Sequence, residues 1–171
     1  MKTVKKLAFI ALCIIAISAC KKNNDTTTTP VETPKTKKDY LMEGKWMITS
    51  IRVSVPGLGN SDLCDTMPEC RKDNWAKFMS SGKILSDEGV TKCSSSAMQQ
   101  DSTGTWMLTD DFSKLTANVN WVPSSNKTFT VLELTQTALK MAQSFDTTIS
   151  VGVPFPIKVT VKDTVTAKNI N

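Results

Sequence analysis

The chain has 171 residues, of which 40% are hydrophobic and 22% charged, with a net charge of +5 and no histidine. The lack of histidine excludes catalytic arrangements of the Ser-His-Asp and Cys-His types. The positive charge belongs to the first 38 residues, since residues 1–19 hold three lysines and residues 21–38 hold five lysines and two acids. The remaining body has a net charge of −1, so we predict no nucleic-acid partner.

The N-terminus has the pattern of an export signal. Three lysines precede the apolar run Leu7 to Ala19, which is short for a bilayer span but fits the core of a signal peptide. The run leads into Ile17-Ser18-Ala19-Cys20, which resembles the lipobox of bacterial lipoproteins, with isoleucine where leucine is usual. The resemblance implies cleavage before Cys20 and lipid attachment to it, which anchors the protein to a membrane. The alternatives are an ordinary secretory signal and an uncleaved anchor.

A flexible tether is predicted to follow the lipidated cysteine. Residues 21–38 contain a single large apolar residue, Val31, and are interrupted by Pro30 and Pro34. Such a segment buries too little apolar surface to fold. The predicted domains are therefore a signal peptide at 1–19, the lipidated cysteine and tether at 20–39, and a folded body at 40–171.

The body is predicted to be all-β, after one helical turn at 40–43. Apolar residues of both parities occur in the first strand, so alternation alone does not fix its inward face. The main predicted loops are 56–73 and 94–103. About eight sequential strands with mostly short turns favour an up-and-down barrel, and a two-sheet sandwich is the alternative. The predicted strands are 44–55, 74–79, 83–86, 104–109, 114–121, 128–135, 138–150 and 157–161.

Three cysteines remain in the body. A hairpin around Gly82 brings Cys70 and Cys93 together, so we predict a disulfide between them, closing a loop of about 24 residues. Cys64 is then free, and pairs of Cys64 with Cys93 or Cys70 are the rivals. A three-cysteine metal site is disfavoured because there is no histidine and no close C-x-x-C pair. We predict no metal and no cofactor.

The candidate ligand-binding residues are apolar strand positions. Trp106 and Leu108 share a parity, Leu115 lies on the next strand, and Phe129 and Met141 add to the same wall if these faces point inward. Barrel core is the competing interpretation of the aromatic residues, and both can hold in an eight-stranded barrel. Adjacent acids such as Asp110 and Asp111 are typical turn formers, so no catalytic residue and no enzyme activity are predicted.

Several short pieces of the body occur in a recognisable order and spacing: Leu41 to Trp46, Cys70 to Asn74 with Phe78 and Gly82, Cys93, Gly104 to Trp106, and Leu132 to Thr135 with Leu139. Together they cover most of residues 40–145, and in this pattern the body resembles the lipocalin-like domain of Bacteroidetes lipoproteins. Gly44-x-Trp46 is similar to the first-strand motif of lipocalins, in which the tryptophan closes the barrel floor. The resemblance implies a barrel that binds a small apolar molecule and has no catalytic residues.

Two functions follow as expectations. The first is a membrane-anchored lipocalin-like lipoprotein of the cell envelope, at the outer membrane, that binds a small hydrophobic molecule in the barrel. The alternative is a non-enzymatic module that presents loops 56–73 and 94–103 to an envelope protein or a glycan.

Overall fold

The computed structural model describes residues 34–118, 128–150 and 155–171. The predicted signal peptide, Cys20 and most of the tether lie outside the described residues, as do Val119 and Trp121 of the fifth predicted strand. The chain divides between Thr33 and Pro34, and the second unit runs from Pro34 to Asn171. All that follows concerns this unit.

Most of the described chain is β-strand. Two short helices, α1 (Lys37–Glu43) and α2 (Glu69–Lys72), and a single 3₁₀ turn (Leu63–Asp65) accompany nine strands. The strands are β1 (Trp46–Val55), β2 (Gly59–Asp62), β3 (Trp75–Phe78), β4 (Lys83–Asp87), β5 (Gln100–Leu108), β6 (Lys114–Asn118), β7 (Thr128–Leu134), β8 (Ala138–Ile149) and β9 (Ile157–Asn169).

Eight of these strands close into an antiparallel barrel. Each strand from β3 to β8 pairs with the next, and β1 completes the ring by pairing with β9 on one edge and with β3 on the other. The extra strand, β2, folds back on the second half of β1. The predicted all-β barrel is confirmed, and closure through β1 and β9 rules out the two-sheet sandwich.

Four segments differ from the predicted elements. The predicted loop 94–103 ends early, because its last four residues belong to β5, which begins at Gln100. The predicted loop 56–73 contains β2, the 3₁₀ turn and α2, and the helix at the start of the body begins at Lys37 rather than at residue 40. The last strand continues to Asn169, so its predicted end at residue 161 was wrong. The continuation was missed because it contains many polar residues. These polar residues alternate with the buried Val165 and Ala167, which is the pattern of a strand with one face in solvent.

A β-bulge on β1 explains why alternation did not fix the inward face of this strand, and β7 has a bulge of the same kind. On β1, Ile48 pairs with Ala167 but Ser50 pairs with Thr166, so Thr49 is an extra residue. On β7, the pairing slips in the same way at Leu132, which is 56% exposed. A bulge places two residues opposite one and shifts the inward face by one position. Inward residues are therefore 46, 48 and 51 on β1, and 129, 131 and 134 on β7.

Helix α1 closes one end of the barrel, which we call the floor. Leu41 is 0% exposed, and its carbonyl oxygen accepts a hydrogen bond of 2.8 Å from Nε1 of Trp46. The helix starts at a capping box in which Thr36 and Asp39 bond to each other's backbone amides. Gly44 allows the close approach, since a Cβ there would lie 2.7 Å from the Trp46 ring.

The opposite end of the barrel, where β1 ends and β3 begins, is the mouth. Two connections at the mouth, the one before β3 and the one between β4 and β5, are tied together by the disulfide between Cys70 of α2 and Cys93, whose Cα atoms are 5.1 Å apart. Asp73 adds a second tie, because its Oδ2 accepts hydrogen bonds of 2.8 Å from the amides of Val90 and Thr91. The predicted Cys70–Cys93 disulfide is confirmed, and Cys64 is free.

Candidate ligand site in the barrel interior

The barrel interior holds a cavity of about 110 Å³, which we call the inner cavity. Its walls are mostly apolar, and most of its lining residues belong to the buried core. Among them are Phe78, Ile84, Phe129, Leu139 and Met141. Leu63 and Phe145, both partly exposed, line it on the side of the mouth.

A larger cavity of about 330 Å³, the outer cavity, lies at the mouth between β1, β3, β4, β5 and α2. Its lining combines apolar side chains such as Met67, Trp75 and Met98 with charged and amide groups. Its volume falls within the range of pockets that hold small molecules. It is the larger of the two cavities, and connecting segments of the mouth form much of its wall.

The two cavities adjoin. Trp46, Ile48, Ile51 and Ala76 line both of them. The bulge at Thr49 creates this shared wall, because without it Ile51 would point away from the interior. The interior therefore offers a larger space of mixed polar and apolar lining beside a smaller, mostly apolar one.

Two polar side chains, Gln143 and Asp163, line the otherwise apolar inner cavity. They are opposite each other on β8 and β9, and Nε2 of Gln143 donates to Oδ2 of Asp163 at 3.1 Å. The other carboxylate oxygen, Oδ1, is shielded from solvent and receives no hydrogen bond from the described residues. Apolar walls with a few fixed polar groups are typical of small-molecule sites.

The structure places the five predicted ligand-binding residues in two groups. Phe129 and Met141 line the inner cavity. Trp106 and Leu115 are buried in the same core and Leu108 packs against it, but these three line neither cavity. The Trp106 ring meets Phe78 edge-on at 5.6 Å, and its Nε1 donates to the carbonyl oxygen of Met79 at 2.9 Å. Trp106 therefore stabilises the β3–β4 hairpin.

Most cavity residues were not among the predicted site residues, and four of them show the reasons. Ile48 and Ile51 were missed because the bulge between them breaks the alternation. Gln143 and Asp163 were missed because polar residues on a strand read as solvent-facing. One signal was available for Asp163: it has the same parity as Val159, Val161 and Val165, and so belongs to the inward face of a continuous β9.

The surroundings of the turn residue Asp111 and of Cys64 shift the pKa values of both side chains. Oδ1 of Asp111 accepts hydrogen bonds from the Thr109 hydroxyl at 2.6 Å and from the Ser113 hydroxyl and amide, and these bonds lower the pKa of Asp111 to about 2. Burial and the neighbouring charge of Asp62 raise the pKa of Cys64. A raised pKa reduces the thiolate fraction, so Cys64 is a weak nucleophile.

The disulfide uses two of the three body cysteines, which rules out the three-cysteine metal site. In the described part of the chain, no helix has the length and apolar character needed to cross a membrane. Comparison of the chain with protein-family profiles, with curated proteins and with solved structures finds no match.

Proposed function

We propose that this chain is a membrane-anchored, lipocalin-like lipoprotein that binds a small apolar molecule inside its barrel and does not transform it. The observation that carries the proposal is the pair of adjoining cavities, of about 330 and 110 Å³, that run from the mouth into the apolar interior. Barrels of eight strands have interiors just large enough for one small ligand when side chains do not fill them.

The loop-presenting alternative is less well supported. Exposed apolar residues do occur in the two loops, since Leu58 is 57% and Met98 73% exposed. However, Met98 lines the outer cavity, and the exposed Leu63 lines the inner one. These side chains therefore surround the entrance of the barrel, where they fit a ligand passing into the interior better than a flat protein partner.

The test places a larger side chain on the wall that the two cavities share, which reduces the space for a ligand. We expect the soluble body, residues 34–171, to bind the fluorescent probe phenylnaphthylamine, measured by its emission during titration. Ala76→Leu places a larger side chain at the buried residue that lines both cavities, and should weaken binding by about tenfold or more, equivalent to about 1.4 kcal/mol.

The matched control is Ala142→Leu on β8. Ala142 pairs with Thr164, next to the inward pair of Met141 and Val165, and lines neither cavity. It should bind the probe as the parent does, and circular dichroism should show both variants folded. Equal binding by a folded Ala76→Leu variant, or no binding by the parent, would count against the proposal.

Membrane anchoring is tested separately on the full chain. The lipobox-like sequence Ile17 to Cys20 supports anchoring through acyl chains on Cys20. We expect Cys20→Ser to move the protein from the membrane fraction to the soluble fraction after cell lysis, while Cys64→Ser stays with membranes. A Cys20→Ser protein that sediments with membranes as fully as the parent would show that Cys20 is not the anchor.

A further inference from the structure

The polar end of the inner cavity is formed by Gln143 and by the Asp163 carboxylate, which has fewer hydrogen-bond donors than it can accept. Oδ2 of Asp163 is held by Gln143, whereas Oδ1 is shielded from solvent and accepts no hydrogen bond from the described residues. Buried polar atoms in folded proteins almost always have a hydrogen-bond partner, and an unpaired one is unfavourable. A bound molecule with a donor can therefore add an interaction that the protein alone does not make.

The position of Asp163 sets the direction in which such a molecule would lie. Asp163 is the inward-facing residue of β9 that follows Val165 in the direction of the mouth. It pairs with Val53 of β1, whereas Val165 pairs with Ile51. The apolar residues Phe78, Ile84 and Leu139 line the rest of the cavity toward the floor. A head group at Asp163 would thus place an apolar tail in the interior.

The outer cavity, which adjoins the inner one, has mainly negative charge in its lining. Three carboxylates, Asp87, Glu88 and Asp101, and one cation, Arg71, are among its described lining residues. Both oxygens of Asp87 accept hydrogen bonds from neighbouring amide groups, which fixes this charge in place. A cleft lined mainly by one sign of charge concentrates ligands of the opposite sign.

We infer that the barrel selects apolar molecules that carry a hydrogen-bond-donating head group, a cationic amine above all, and that Asp163 beside Gln143 receives this head group. The inference rests on the proposed function. An ammonium or hydroxyl group in the inner cavity can donate to the Asp163 carboxylate, and an ammonium gains attraction from the carboxylates of the outer cavity as well. A fatty-acid carboxylate has no proton to donate and the same sign of charge, so the barrel disfavours it.

The experiment compares three ligands with the same tail. Octylamine, octanol and octanoate compete with phenylnaphthylamine for the soluble body at neutral pH. Octylamine should displace the probe at a concentration about tenfold or more below that of octanoate, because a hydrogen bond to a charged group is gained and a repulsion avoided. Octanol should lie between them, since it has the donor without the charge.

Asp163→Asn removes the negative charge at nearly constant shape. The concentrations at which octanoate and octylamine displace the probe should then differ by no more than about threefold, since the charge-assisted hydrogen bond is lost. The control is Asp146→Asn on the outer face of β8, where Asp146 accepts a hydrogen bond of 2.7 Å from Thr160. This variant should keep the parent ratio.

Octanoate that displaces the probe as well as octylamine from the parent overturns the inference, even if Asp163→Asn does not fold. A folded Asp163→Asn variant that keeps the parent ratio also overturns it. If the probe binds and Ala76→Leu weakens it but none of the three ligands competes, the head-group inference fails and the proposed function stands. If neither the probe nor octylamine binds the parent, the proposed function itself fails.

Discussion

Replacing Leu41 with alanine should lower the free energy of unfolding by about 2–5 kcal/mol, the usual range for a buried leucine. Leu41 is 0% exposed and belongs to the core cluster, so its loss leaves a hole at the floor. The carbonyl oxygen of the same residue accepts the hydrogen bond from the buried Trp46 indole. A loosened α1 would therefore weaken the placement of Trp46 as well. Urea unfolding followed by tryptophan fluorescence measures the change.

Leu58→Ala is the control for this prediction. Leu58 is 57% exposed in the turn between β1 and β2, and surface substitutions of this kind usually change stability by about 0.5 kcal/mol or less. A Leu41→Ala variant as stable as Leu58→Ala would show that α1 does not form part of the core.

Removing the disulfide by the double change Cys70→Ser and Cys93→Ser should cost about 3 kcal/mol of unfolding free energy. The bond joins residues 23 apart in sequence, and its main effect is to restrict the unfolded chain. Asp73 still ties Val90 and Thr91 in the double variant, so the native loop should keep its course. Urea unfolding of the oxidised parent and of the variant gives the difference.

The control for the disulfide is Cys64→Ser. Cys64 is free, so the change should leave the unfolding midpoint close to that of the parent. A peptide map of the oxidised protein should join Cys70 to Cys93. A map that joins Cys64 to either residue, or a large loss of stability in Cys64→Ser alone, would contradict the observed pairing.

The fold could be predicted from the sequence because most strands have a recognisable local sequence pattern. Leu115 and Ala117 alternate with polar neighbours, Gly82 marks a hairpin turn with a φ of 77°, and the hairpin brings Cys70 and Cys93 together. Barrel closure itself depends on pairing between β1 and β9, which are more than 100 residues apart. No local pattern encodes that pairing, so the sandwich stayed open as an alternative.

The site was predicted only in part, for two physical reasons. A bulge such as that at Thr49 reverses the parity of all later inward residues, so Ile48 and Ile51 line one cavity wall although they are three positions apart. A polar residue inside a barrel also looks like a solvent-facing one until its partners are known. Asp163 is identified as a cavity residue by its register with Gln143, which lies on another strand.

Methionine methyl resonances give the most direct test of ligand binding inside the barrel. Met141 lines the inner cavity and Met98 the outer one, whereas Met107 is exposed and lines neither. With methyl-labelled methionine in the soluble body, addition of phenylnaphthylamine should shift the Met141 resonance strongly and leave that of Met107 in place. If the probe binds but shifts only the Met107 resonance and leaves that of Met141 unchanged, the ligand lies outside the barrel. That result would contradict the proposed function.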